Sequence, residues 1–302
     1  MKRLYHYTPM LILTIFATMI MVVGQLLVFC NTMVFNTDYY VWTISNSGAD
    51  TALYEELDTY FGQLSAPTGI PKEVYTNSLD KKNVSVTAKK LTKASLDYTF
   101  GKSNDKPAVI YDYTQFETDV TDYIEKYADA NDIEKDAEYY TLIDNTISTA
   151  EKKLDSSFDI MMAQKLAESS VPKLTRRLVP SLNILLGVCV VVFVGLLGLM
   201  LYVDRHHPFD MPYWIGALMF CGSAVLLIPT VYCRITNYFD SLFLNDKSAF
   251  YALTGSLYGV TDRIILVNSI LFALGLVLMI FAQVIHVFRV RDAKRGSNEN
   301  DE

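Results

Sequence analysis

The sequence contains one cluster of side chains with metal-ligating chemistry. The stretch "DRHHPFDMP" holds Asp204, His206, His207 and Asp210. Imidazole and carboxylate groups are common zinc ligands, but neighbouring histidines project in different directions, and this short segment must also join two predicted helices. Asp210 stands directly before Met-Pro, which favours a role as the N-cap of the next helix. We therefore expect no metal site in this segment.

The stretch "DANDIEKDAEYY" (residues 129–140) has the acidity of a calcium-binding loop. Aligned from Asp129, an EF-hand loop requires an oxygen ligand at Ile133, a glycine at Glu134 and a carboxylate at Tyr140. None of these positions fulfils its requirement. The pattern favours a solvated acidic helix or turn, and a looser carboxylate site remains the alternative.

A catalytic set is not evident in the longest polar segment, residues 38–178. It contains no histidine, which excludes a histidine general base there. Glu117, Asp119 and Asp122 are candidate acids for an enzyme, but carboxylates are abundant and the spacing distinguishes none of them. We expect no catalytic or cofactor-binding residue. The alternative, a membrane-face enzyme acting on lipid or envelope substrates, would require a cleft with two converging carboxylates.

Four long stretches of the chain contain no charged side chain. They are residues 4–37, 178–203, 211–233 and 264–288, and 51% of the whole chain is hydrophobic. A helix needs about 20 apolar residues to cross a bilayer, and backbone groups in lipid must be paired within the segment. The sequence therefore predicts an all-α integral membrane protein with transmembrane helices at 10–35, 179–203, 211–233 and 264–288.

The first apolar stretch has the properties of a retained anchor. A signal peptide has an apolar centre of about 7–15 residues followed by a small-x-small cleavage site. Here the apolar run extends over residues 10–35 and no such site follows. Lipoprotein cleavage at Cys30 would require a small residue before it, where the chain has Phe29. We expect this helix to remain in the membrane.

Basic residues near both ends of the chain predict its orientation. They precede the first span and follow the last one, at Lys2, Arg3, Arg289, Arg291, Lys294 and Arg295. Because cytoplasmic segments carry an excess of lysine and arginine, we expect tails 1–9 and 289–302 and the turn 204–210 in the cytoplasm. Residues 38–178 and the aromatic-rich loop 234–263 would then be extracytoplasmic, in a plasma membrane.

The predicted extracytoplasmic segment is acidic and its charge is segregated. Residues 38–178 contain 24 acids and 16 bases, a net charge of −8. Residues 81–106 carry a net charge of +5 and residues 111–151 one of −10. Such blocks either attract each other within the fold or present faces to oppositely charged partners, although a solvated helical surface gives the same pattern.

Apolar residues at three- and four-residue spacing predict that this segment is mainly helical. Asp50 is the expected N-cap of one helix, and "TQFE" at residues 114–117 is the expected capping box of a second. Ser248 is the expected cap of a fourth helix that starts well before Ile264. Another helix is expected from about Leu142. Pro172 and Pro180 are expected to interrupt that helix just before the second span.

The positions of the cysteines and amides indicate the compartment of the chain and the packing of its spans. No cysteine lies between residues 31 and 188, which favours a bacterial surface. Cys30 and Cys233 are expected near the outer membrane face, either as a disulfide or as two separate thiols. The polar residues of the spans are Gln25, Asn183, Asn268, Gln283 and His286, and no aspartate, glutamate, lysine or arginine lies within a span. This argues against an ion-coupled transporter and favours hydrogen bonds between helices, with a polar ligand site as the alternative.

The order of one span, a large outside domain and three further spans resembles the layout of FtsX-type and related permease-like subunits. That resemblance implies a subunit of a transport or signalling complex with a cytoplasmic ATPase. Only seven residues join the second and third spans here, shorter than the coupling segments of such subunits. The leading hypothesis is a non-enzymatic membrane protein whose outside domain binds a surface or envelope partner or self-associates. We expect contact with the lipid bilayer and none with nucleic acid.

Overall fold

The computed structural model describes residues 2–205 and 210–298, and within these ranges the chain forms helices and no strands. The α-helices are α1 (Lys2–Phe29), α2 (Thr37–Asn46), α3 (Ala49–Thr68), α4 (Lys72–Asn77), α5 (Lys81–Thr99), α6 (Thr114–Ala130), α7 (Ala137–Phe158), α8 (Ala163–Glu168), α9 (Val171–Val203), α10 (Met211–Ile235) and α11 (Lys247–Asn298). A π-helical segment, Cys30–Val34, follows α1, and a 3-10 turn, Tyr238–Ser241, follows α10.

The chain divides into two compact units. The first, here called the apolar bundle, comprises Met1–Val34, Pro180–Tyr238 and Tyr258–Glu302. The second, here called the helical domain, comprises Phe35–Val179 and Phe239–Leu257. Each unit has its own cluster of buried apolar side chains.

Four of the described helices are long and apolar enough to cross a membrane. They cover Tyr7–Val34, Val171–Val203, Met211–Ile235 and Lys247–Arg289, which confirms the predicted number. Helix α9 runs through Pro180 without a break, so the predicted interruption there is wrong. Pro172 lies in the first turn of α9, where its missing N–H has no intrahelical partner to lose.

Small residues bring two helices of the apolar bundle into backbone contact. A Cβ atom placed on Gly275 of α11 would lie 2.6 Å from the backbone nitrogen of Phe220 and 2.7 Å from the carbonyl oxygen of Gly216 on α10. The rings of Phe220 and Phe272 pack beside this contact, with centroids 4.3 Å apart. Any side chain at Gly275 would push α10 and α11 apart.

Three aromatic side chains form the centre of the helical domain. Phe61 of α3 stacks on Tyr75 of α4 with ring centroids 4.9 Å apart, and Phe116 of α6 lies 6.1 Å from each. All three are fully buried. Aliphatic residues of the neighbouring helices complete this core, namely Leu53, Leu57, Val84, Ala88, Leu91, Leu154 and Phe158.

Three helix starts of the domain differ from their sequence predictions. Gly48, in the left-handed region, is the N-cap of α3, whereas Asp50 instead accepts a hydrogen bond from Ser85 Oγ at 2.9 Å. The predicted capping box of α6 is absent, because Asp112 accepts from the backbone N–H of Thr114. Helix α7 begins at Ala137, earlier than expected, with Asp136 as its N-cap.

Residues 239–257, predicted to be part of a loop, belong to the helical domain. Ala252 lies in its core, and the Tyr39 hydroxyl donates to the carbonyl oxygen of Ser256 at 2.5 Å. The carboxylate of Glu56 accepts from the backbone N–H of Ser248 at 3.0 Å and from its hydroxyl at 2.7 Å. The first turn of α11 is therefore capped by a distant acid and not by Ser248 itself.

Glu56→Ala removes this cap and leaves the buried N–H and hydroxyl of Ser248 without an acceptor. The free energy of unfolding should fall by about 1–2 kcal/mol. Thermal unfolding of the purified full-length chain in detergent measures the change. The control is Glu55→Ala, at the neighbouring exposed acid, which should change stability by less than about 0.5 kcal/mol. Equal effects of the two variants would contradict the capping role.

Candidate functional site

The helical domain has a groove between α6 and α7 with a volume of about 790 Å³. The polar side chains that line it are mostly acids and hydroxyls, and no lysine or arginine is among its lining residues. The acids are Glu117 and Glu125 from α6 and Asp144 and Glu151 from α7. The groove is therefore a negatively charged surface in a segment of net charge −10.

Two of these carboxyl groups meet across the groove. Glu117 and Glu151 lie within hydrogen-bond reach of each other. Burial raises the pKa of the Glu151 carboxyl above its ordinary value, and the hydrogen bond to Glu117 and the negative charges of Glu117 and Asp155 raise it further. Protonation of Glu151 therefore relieves repulsion between the two carboxyl groups in the folded state.

Asp155, an acid close to Glu151, accepts a hydrogen bond from a neighbouring tyrosine. The Tyr113 hydroxyl donates a hydrogen bond to Asp155 Oδ1. Burial, together with this bond and the negative charge of Asp155, raises the pKa of Tyr113 well above its ordinary value. Tyr113 thus remains a protonated donor over the physiological pH range and cannot act as a base.

The sequence-predicted acids are separated in the structure. Glu117 lies in the groove, whereas Asp119 accepts a hydrogen bond from Gln115 Nε2 at 2.7 Å and Asp122 lies 3.9 Å from Lys126 Nζ. Glu117 and Glu151 are the two acids that the groove brings together from different helices. No cationic side chain is among the groove's lining residues.

Apolar side chains are exposed near the turn that joins α6 to α7. Tyr127, Ile133, Tyr140 and Leu142 are all solvent-exposed, and Leu142 retains 65% of its accessible surface. The ion pair between Lys135 Nζ and Asp129 Oδ1, at 2.7 Å, lies within the same turn region. The end of α6 and α7 at this turn therefore combines exposed apolar side chains with dense negative charge. This combination is typical of an interaction site.

A second cleft, of about 610 Å³, lies beside α3 and α7. Two of its four acids serve as helix caps: Glu56 accepts from Ser248, and Asp159 accepts from the backbone N–H groups of Gln164 and Lys165. The Lys153 ammonium lies 5.1 Å from the centre of the Tyr60 ring. Since these charged groups stabilise the fold, we regard this cleft as structural.

The predicted metal-like segments contribute no site among the described residues. His206 and His207 lie outside the described residues. Asp210 occupies the predicted N-cap position of α10, but its side chain makes no capping hydrogen bond. In the turn after α6, Asp129 pairs with Lys135. No three histidine, cysteine or acidic side chains of the described part of the chain are arranged to hold a metal ion.

Within the described part of the chain, Gln25, Asn183 and Asn268 form no hydrogen bonds between helices, and Cys30 and Cys233 form no disulfide. Asn268 is fully buried and donates to the carbonyl oxygen of Ile264 in its own helix, while its Oδ1 is unpaired. The buried amide of Gln25 also lacks a partner, and Asn183 is exposed. The predicted interhelical hydrogen bonds are not formed. Cys30 and Cys233 are both free thiols.

Comparison of the chain with known protein families, curated proteins and solved structures gave no match.

Glu151→Gln tests the carboxyl pair. The folded chain holds the Glu151 proton more tightly than the unfolded chain, so this contribution to stability is present at low pH and is lost as the pH rises through the folded-state pKa. At neutral pH the variant should therefore unfold at a higher temperature than the wild-type chain, and the difference should shrink on acidification. Thermal unfolding in detergent at several pH values measures it.

The control for this measurement is Asp144→Asn, at an exposed acid of the same groove. It should show a smaller stabilisation with no comparable decrease at low pH. If the stabilisation by Glu151→Gln instead grows on acidification, the folded state does not raise the pKa of Glu151, and the account is contradicted.

Proposed function

We propose that this chain is a non-enzymatic membrane protein whose helical domain faces the cell exterior and binds a cationic partner through its acidic hairpin. The acidic hairpin is defined as residues 111–151, which contain α6, the following turn and most of α7. The apolar bundle is the membrane anchor, and we assign both termini to the cytoplasm of a bacterial cell.

Apolar exposure supports the membrane location. Side chains on the outside of the four long helices include Ile184 and Val191 on α9, Ile228 on α10 and Val277 on α11, all of which are exposed. A water-soluble bundle would leave this apolar surface in contact with water at a large free-energy cost. Lysine and arginine at both chain ends support the cytoplasmic location of the termini.

The acidic hairpin has more negative charge than its ion pairs neutralise, and this excess is the main support for the proposed binding function. The hairpin has a net charge of −10, yet its ion pairs are Asp122–Lys126 and Asp129–Lys135, each with a lysine of the hairpin itself. No ion pair of the described residues joins the hairpin to α5. The excess carboxylates therefore repel one another in the isolated fold, and a cationic surface would relieve that repulsion.

Labelling of single cysteines tests the sidedness. Ile110 is 84% exposed in the helical domain and Arg291 is exposed near the C-terminus. We expect a membrane-impermeant maleimide to label Ile110→Cys in intact cells and Arg291→Cys only after permeabilisation. The wild-type chain, with its four native cysteines, provides the background signal. Labelling of Arg291→Cys alone in intact cells would reverse the assigned orientation.

Photo-crosslinking from the hairpin tests the binding function. A photoreactive side chain at Leu142 should form adducts in intact cells, whereas the same group at Ser156, an exposed position further along α7, should not. Screening by salt weakens contacts between exposed charges, so the adducts should decrease at high ionic strength. Equal adduct yields at both positions, or none at Leu142, would contradict a binding role of the hairpin.

A further inference from the structure

The outward face of α5 is basic and has no partner within the helical domain. Lys82, Val86 and Lys90 follow one another at four-residue intervals, so they form a single row on this helix. All three are exposed. Two cations with an exposed apolar side chain between them are complementary to an acidic surface.

Two other lysines of α5 form ion pairs within the domain. Lys89 pairs with Asp50 at 3.3 Å, and Lys93 pairs with Asp38. Within the described ranges, Lys82 and Lys90 take part in no ion pair. The basic block of the sequence is thus divided between lysines that hold α2 and α3 and lysines that remain available for contact.

The acidic hairpin offers a matching row. Glu138 and Leu142 lie four residues apart on α7, and both are exposed. Glu134 extends the negative charge into the preceding turn. An acid next to an exposed leucine is the complement, in charge and in apolar character, of the lysine and valine on α5.

We propose that a second copy of this chain is the partner, with the Lys82–Val86–Lys90 row of one copy docked on the acidic hairpin of the next. This inference rests on the proposed binding function and names its partner. Both surfaces belong to the same domain, so two copies in one membrane expose them on the same side. Confinement to a membrane raises their effective concentration, which compensates for the weakness of individual exposed ion pairs.

The contact would be heterologous, because the two docking surfaces are different. In a bound pair, one copy keeps its acidic hairpin free and the other keeps its basic row free. Further copies can therefore bind, and association continues into rings or chains instead of stopping at a two-fold dimer. The same charge segregation that leaves the hairpin unpaired within one chain thus drives assembly between chains.

Cysteine crosslinking between two differently tagged chains tests this contact. One chain carries Val86→Cys and the other Leu142→Cys, and both are expressed together in full length. Mild oxidation of native membranes should yield a disulfide-linked species with both tags. Pairing Val86→Cys with Ser156→Cys is the matched control and should yield at least about tenfold less product. Wild-type chains define the contribution of the native cysteines.

Charge reversal then tests the cause of the association. Lys82→Glu/Lys90→Glu on the Val86→Cys chain should reduce the crosslink by about tenfold. Glu134→Lys/Glu138→Lys on the Leu142→Cys chain should restore it. The milder Lys82→Gln/Lys90→Gln variant, compared by thermal unfolding, provides a second measurement if the reversal impairs folding, and it should also lower the yield.

The outcomes separate this inference from the proposed function. Adducts of the Leu142 photo-crosslinker with a different protein, without a Val86–Leu142 disulfide, would overturn self-association and leave the binding function in place. Absence of both products would overturn both. A disulfide that forms equally with the Ser156 control, or that is insensitive to charge reversal, would also overturn the proposed contact.

Discussion

Aspartate, glutamate, lysine and arginine are absent from four long stretches of this chain, and the rest of the structure depends on that absence. A charge inside an apolar bundle would have to be paired or neutralised at a high free-energy cost. Four stretches therefore contain none, and the net charge of −8 in residues 38–178 exceeds the −7 of the entire chain. The helical domain, as a consequence, must accommodate all the excess negative charge on its surface.

The domain concentrates this charge where its packing is weakest. Phe116 and Val120 of α6 and Leu154 and Phe158 of α7 are buried in the aromatic core and hold the base of the hairpin. Towards the turn, large apolar side chains such as Leu142 become exposed. Local stability should therefore decrease from base to tip. Under the proposed function, a cationic partner would relieve the charge repulsion on this surface.

The sequence predicted the number of long apolar helices, but it did not predict three helix starts of the domain or the continuity of α9 through Pro180. Charge-free stretches located the four long helices, and the Met-Pro sequence marked Asp210 as an N-cap. Contacts between distant residues had no such signal: Glu56 binds Ser248, 192 residues later in the chain, and Glu151 lies in one groove with Glu117 only because α6 and α7 pair. Glu151 follows the buried Ala150 as Glu117 follows the buried Phe116, a pattern that becomes informative once the two helices are known to be neighbours.

Hydrogen exchange of the full-length chain at different salt concentrations tests the central claim, that the carboxylates of the hairpin are unmatched within one copy. The chain should be diluted in detergent until it is monomeric, with α5 as the internal reference. Salt screens repulsion between exposed charges, so amide exchange in α6 and α7 should slow as salt is raised while exchange in α5 changes little. Faster exchange in the hairpin at high salt would show that its carboxylates are already stabilised within the fold, and would contradict the account.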